Sequence, residues 1–232
     1  VGDSVDNSSG YIQSTDLLNI STGLFQNSGG FVLSPEKPES AATTSAPTDA
    51  PAIAAPWLIA AENVQNSDGV IQKTSAGSLG IASTTLANVE GIITNAQALD
   101  LNQADIDNTL GVINSQQLTV NAEQLVNDAG AIEADNIQLN IAGDLINGSV
   151  GVTNDDVVEV RKGIISALVD AGSDLAASIQ ISVAGFFDNS GGVVQTNANS
   201  LLINDLGPET ALEEGAFATG SFANKGGEIV HI

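Results

Sequence analysis

Carboxylates are the commonest side chains here that could do chemistry. Asp and Glu number 28 against 5 Lys and Arg, a formal charge of −23. Two groups are close enough in sequence to converge: Asp100, Asp105 and Asp107, and Asp155, Asp156 and Glu159. Two carboxylates at a fixed separation can hydrolyse a glycosidic bond, one as acid and one as nucleophile or base. In so acidic a chain a solvated acidic face accounts for the same groups. Lyase chemistry on an anionic sugar needs basic side chains, and Lys37, Lys73, Arg161, Lys162 and Lys225 are scattered. His231 is the sole histidine, so neither a histidine triad nor a histidine-rich metal site can be assembled. The absence of Cys removes disulfides, thiolate metal sites and thiol nucleophiles. Calcium takes carboxylates and carbonyls, but neither an EF-hand loop nor a glycine-aspartate nonapeptide occurs. The expectation is therefore a chain that is not an enzyme, with no cofactor and no metal site. The shortage of cations also excludes a nucleic-acid footprint and argues against anionic membranes, and no apolar run approaches the length of a membrane span.

What orders the sequence is a repeat: an apolar residue, any residue, Asn, any two, Gly, any residue, then Ile or Val. Aligned on the Asn, the copies fall at Asn7, Asn27, Asn66, Asn88, Asn108, Asn127, Asn147, Asn189 and Asn224, spaced by 20, 39, 22, 20, 19, 20, 42 and 35 residues. Gly stands third after the Asn in all but the Asn147 copy, where Val150 takes the place and Gly151 follows one step late. Five places after the Asn comes Ile or Val, as in Ile113, with Val152 in the Asn147 copy. Most units then carry an apolar-x-apolar pair such as Leu18/Ile20, Leu79/Ile81 or Leu118/Val120, the alternation of a strand with one buried face. A unit of about 20 residues holding three short strands is one coil of a parallel β-helix, which buries its apolar face only against neighbouring coils. The Gly suits a turn position with φ > 0. The Asn tolerates the same region and can bond nearby backbone, so the nine Asn residues are expected to stack as a structural ladder inside the turn.

Two intervals read as loops. Ser34 to Pro56 holds five of the six prolines, and Trp57/Ile59 then fill the paired slot, which makes 34–56 an insertion into one coil. Residues 205–219 are a second, acidic insertion. The Asn147–Asn189 interval reads as two coils, one without its Asn, with Val158/Val160 as the extra pair and an irregular coil at about 155–178. Residues 163–178 also fit a short amphipathic helix, the weaker reading. Trp57 either fills an oversized core slot or joins the 34–56 loop as a recognition patch. The expected fold is all-β: a single parallel β-helix solenoid of roughly ten coils with two inserted loops, spanning 1–232 as one segment of a longer protein.

Phe187-Asp188-Asn189-Ser190-Gly191-Gly192-Val193-Val194, Phe25 to Val32 and Phe222 to Ile229 resemble the haemagglutinin repeats of filamentous haemagglutinin-like two-partner-secretion exoproteins. The resemblance covers nearly all the chain outside the two loops. It implies a right-handed β-helix, export through an outer-membrane partner barrel, and a secreted or outer-cell-surface location. It also implies work as a filamentous adhesin rod that meets a receptor or glycan on a host or neighbouring cell or in a biofilm matrix, with self-association of rods left open. The stalk of a contact-dependent growth inhibition toxin fits the same repeats, and a β-helical polysaccharide-active enzyme is the third alternative. The central copies depart from the family pattern, with Glu90-Gly91, Leu110-Gly111 and Ala129-Gly130 in place of Gly-Gly.

Overall fold

Strands that alternate apolar and polar residues can share one core when they wind around it. In the computed structural model of the chain they do so as a parallel β-helix. Residues 2–34, 56–154, 157–168, 178–197, 200–203 and 221–231 are described. Among them every regular element is a strand, and all the strands but two belong to one wound, parallel sheet.

Three faces surround the core. On the first, Val5, Phe25, Val64, Leu86, Ile106, Leu125, Leu145, Phe187 and Phe222 stack in register, each paired with the next. On the second, after the Asn turn, the column is Ile12, Val32, Ile71, Ile93, Ile113, Ile132, Ile165, Val194 and Ile229. On the third, the paired slots run from Leu18/Ile20 through Trp57/Ile59 to Leu201/Ile203. Strands as long as Ile92–Asp107 cross all three faces without a break. The inner columns are almost fully shielded, with Ile71, Ile93, Leu101 and Leu139 at 0% exposure. Burying one such side chain contributes roughly 1.5–3 kcal/mol.

Among the described residues there are nine layers, one fewer than the roughly ten expected. The Asn147–Asn189 interval is one coil. Ile137 pairs directly with Ile179, Leu145 with Phe187 and Ile132 with Ile165, which leaves no room for a layer between. Most of the surplus is an antiparallel hairpin, Ser149–Asn154 paired with Val157–Lys162, pushed into the turn after Asn147; the rest falls between Ala167 and Ser178. The expected Val152 and the Val158/Val160 pair therefore lie on the hairpin, where Val160 is 64% exposed. Gly163 and Ile165 take the Gly and inward Ile places of that coil. Ile164–Ala167 is strand, and 169–177 fall outside the described residues. At about 4.8 Å per layer the stack is roughly 38 Å tall, shorter than ten coils would give.

The other two insertions leave the coil register intact. Val32 pairs with Ile71, and Leu18 with Trp57, so one coil spans the Pro-rich interval. Val194 pairs with Ile229 and Phe187 with Phe222, so one coil also spans the acidic interval. Residues 35–55 and 204–220 themselves lie outside the described residues.

Candidate functional site: the asparagine ladder and the outer faces

Each coil enters its turn at the Asn. Except after Asn147, where the hairpin intervenes, the N–H of the third residue after the Asn returns to the Asn carbonyl, as in Gly30 to Asn27 at 2.9 Å and Gly111 to Asn108 at 3.1 Å. Positive φ falls one place earlier than the sequence suggested, on the second residue: Gly29, Gly191 and Gly226, but also Ser9, Asp68, Glu90, Leu110 and Ala129 at 54–58°. This is the φ signature of a type II turn. The recurrent Gly answers a different need. A Cβ at Gly30, Gly69, Gly91, Gly111, Gly130, Gly163, Gly192 or Gly227 would run into the backbone carbonyl oxygen of the Asn one coil back. Close stacking, rather than turn conformation, excludes a side chain there.

That closeness sets the ladder. Asn7 Nδ2 donates to Asn27 Oδ1 at 2.6 Å, and the same step repeats through Asn66, Asn88, Asn108, Asn127, Asn147 and Asn189 to Asn224 at 2.7–2.8 Å. Each interior amide also donates to carbonyls around the turn, as Asn88 does to Gly91 O at 3.2 Å and Val112 O at 3.3 Å. The six Asn residues from Asn27 to Asn147, and Asn189, are fully buried. A buried amide is stable only when its donors and acceptor are all engaged, and here the neighbouring coils engage them. Asn7 and Asn147 stand in N-x-Ser sequons, but their side chains are occupied in this stack.

The recognition role considered for Trp57 does not fall to its indole. The side chain is 1% exposed and its Nε1 donates to Asp16 O at 2.9 Å, so it offers a partner no surface. It fills the third-face core where the chain returns from the Pro-rich insertion. The departure point is pinned as well. Ser34 Oγ donates to Ser75 Oγ at 2.6 Å, and Thr74 Oγ1 donates to Ser34 O at 2.6 Å. Beneath them Lys73 is fully buried. Its ammonium donates to Ser75 O at 2.8 Å, Ser75 Oγ at 3.1 Å and Ala76 O at 2.5 Å, and burial lowers its pKa. A lone Lys in an alternating strand carries no sequence signal of pointing inward except its parity with Ile71.

The carboxylates do not assemble a catalytic pair. Asp105 and Asp107 lie on the outside of the first face, while Asp100 lies on the outside of the third. Asp155 and Asp156 are outside the described residues, and Glu159 is exposed on the hairpin in a loose 4.0 Å pair with Arg161. Most outward acids instead gather along the first face and its turn. Asp107 Oδ1 accepts from the Thr109 N–H at 2.9 Å and Asp188 Oδ1 from the Ser190 N–H at 2.8 Å, each fixing its turn. Between them Asp128 has its pKa raised by burial, helped by Asp107 and Asp188 and opposed by the Gly148 N–H. Among the described residues no group of three His, Cys, Asp or Glu side chains is placed to hold a metal ion.

The second face is different outside. Strict alternation would make its outer column polar, yet Tyr11, Phe31, Val70, Ile92, Val112, Ala131, Ile164 and Val193 occupy successive layers. Tyr11, Phe31 and Ile92 are 58%, 44% and 39% exposed. An apolar residue stands four places after the Asn in seven of the nine copies. Beyond this column lies a groove of about 520 Å³ bordered by Asn95, Asn114, Glu133 and Asp135. It is open to solvent.

Compared with models of protein families, with curated proteins and with solved structures, the chain gives no match.

Proposed function

We propose that this chain is a rigid rod segment of a secreted, cell-surface adhesin, holding binding elements at a distance from the cell that exports it. The observation behind this reading is the unbroken ladder. Nine turns remain hydrogen-bonded through their Asn side chains, eight of them buried, while the insertions leave from the corners without disturbing the register. A scaffold indifferent to what its loops carry suits display, since binding elements concentrate on loops that a rigid framework positions. The resemblance of Phe187 to Val194 and its sister copies to haemagglutinin repeats supports export through an outer-membrane barrel and contact with a receptor or glycan.

The test uses antibody against this chain on intact cells and on culture medium, together with the mass of the species detected. Surface or released material is expected, and adhesion of producing cells should fall when the 35–55 segment is deleted. A species confined to the cytoplasm would sink the reading.

A further inference from the structure

We propose that the outer apolar column of the second face is a contact between two copies of this chain, paired antiparallel and face to face. Isolated exposed apolar side chains are ordinary, but a contiguous run marks an interaction surface. Here the run spans eight successive layers, from Tyr11 to Val193. The hairpin leaves the turn beside Ile164 and its Lys162 reaches Glu228 two layers on, so the part open to a second copy is the six layers from Tyr11 to Ala131.

Charge selects the occupant. The chain carries −23, so two copies repel over most of their surface. The outer columns of the first face hold Asp6, Asp105, Asp107, Asp144 and Asp188, whereas those of the second hold only Glu133 and Glu228. The column is bordered on one side by the turn glycines, which have no side chains. It is therefore a face on which two such polyanions can approach closely. Asp68 and Glu90 lie at the neighbouring turn edge and oppose the approach until salt screens them.

Shape selects the orientation. A two-fold axis across the rods lays turn edge over turn edge, and so column over column. Centred between Val70 and Ile92, it sets Tyr11 against Ala131 of the second copy, Phe31 against Val112, and Val70 against Ile92. Large then meets small in every pair. A parallel arrangement would crowd the Tyr11 and Phe31 rings, already 6.5 Å apart within one chain, against their own copies. The antiparallel register also keeps the 149–162 hairpin and the Lys162–Glu228 ion pair beyond the end of the shared column. The patch is roughly 25 Å long and smaller than the ~800 Å² per partner of a standard interface, so the association is weak and concentration-dependent. It does not depend on what the rod binds or on where the chain is found.

Sedimentation velocity of the intact chain, from micromolar to about 1 mM, reads it directly. The sedimentation coefficient should rise with concentration, and more so at about 0.5 M salt than at about 20 mM. Phe31→Asp and Val112→Arg should each lower the association constant at least about tenfold, because each buries an unpaired charge. An equimolar mixture of the two should recover most of the loss, since the new charges then face one another. Gln138→Glu on the third face should associate like the intact chain. Circular dichroism melts confirm that the variants fold; should Phe31→Asp unfold, Ile92→Lys replaces it and Val70→Asp replaces Val112→Arg in the mixture. A chain that stays monomeric throughout, a mixture that does not recover, or an equal loss from Gln138→Glu would overturn the proposal.

Discussion

Asn147 donates its side-chain amide to Asn189 across 2.7 Å although 42 residues separate them, a separation that elsewhere in the ladder is as short as 19. The hairpin 149–162 and residues 169–177 all lie between these two Asn residues. The stack thus depends on which coil is next in space, not on how much chain intervenes. A mid-ladder substitution should therefore be felt on both sides. Asn108→Ala strands the Asn88 donor and the Asn127 acceptor, each at about 1–3 kcal/mol. A total loss of about 2–5 kcal/mol in urea unfolding is expected, against a smaller one for Asn7→Ala at the end of the described stack. Equal losses would contradict a continuous ladder.

Adjacent residues in one turn should respond to substitution with opposite signs. Ala129 holds φ at 54°, a conformation that costs a residue with a Cβ roughly 1–2 kcal/mol. Ala129→Gly should therefore stabilise the chain by about 0.5–1 kcal/mol, against the usual direction for Gly. Gly130→Ala should destabilise it by at least about 2–3 kcal/mol, because the new methyl meets the Asn108 carbonyl oxygen. Thermal melts of the two variants decide it, and loss of stability in both would show that turn conformation is not what separates the two positions.

Ile113 is 1% exposed, in the middle of the second-face column. Ile113→Asp buries a charge without a partner and should cost about 4 kcal/mol or more. Glu133→Gln, on an exposed outer position, should stay within about 0.5 kcal/mol. Similar melting temperatures for the two would refute the inward and outward assignment of that strand.

Trp57 is the only tryptophan, so intrinsic fluorescence reports on one site. The folded chain should resist quenching by acrylamide, a neutral quencher unaffected by the −23 charge, and become quenchable on unfolding. Ready quenching of the folded protein would return Trp57 to the surface and revive its recognition role.

Burial raises the folded-state pKa of Asp128 above 3.8, with Asp107 and Asp188 acting in the same direction. The folded state then holds its proton at a pH where the unfolded state has lost it. This group therefore contributes stability below the unfolded pKa and withdraws it as pH rises through the folded one. Asp128→Asn should raise the melting temperature at pH 7 and flatten its dependence on pH in the window just above 3.8. An unchanged slope would mean that other groups govern it.

How much of this was legible follows from what repeats. The Asn, the inward aliphatics and the paired slots recur at fixed offsets, so alignment alone gave the coil and the three faces. The 42-residue interval misled because Val158/Val160 mimics a paired slot. A hairpin strand also alternates with period two, and only pairing partners distinguish it from a coil. Gly was found in the right place for the wrong reason. A conserved spacing shows that no side chain fits, but the obstacle, a carbonyl from another coil, is not local. Lys73 and the Tyr11–Ala131 column were missed because both contradict the alternation that revealed everything else. One is a charge turned inward and the other a row of apolar residues turned outward.

The stacking has a mechanical corollary. Strands lie across the long axis, so a pull along that axis loads each layer's hydrogen bonds in tension, and the outermost layer yields before the next is strained. A coil of about 20 residues occupies about 4.8 Å when stacked and up to roughly 70 Å when drawn out. Force on one end is therefore met by paying out slack layer by layer, at nearly constant load, while the remaining layers keep their form.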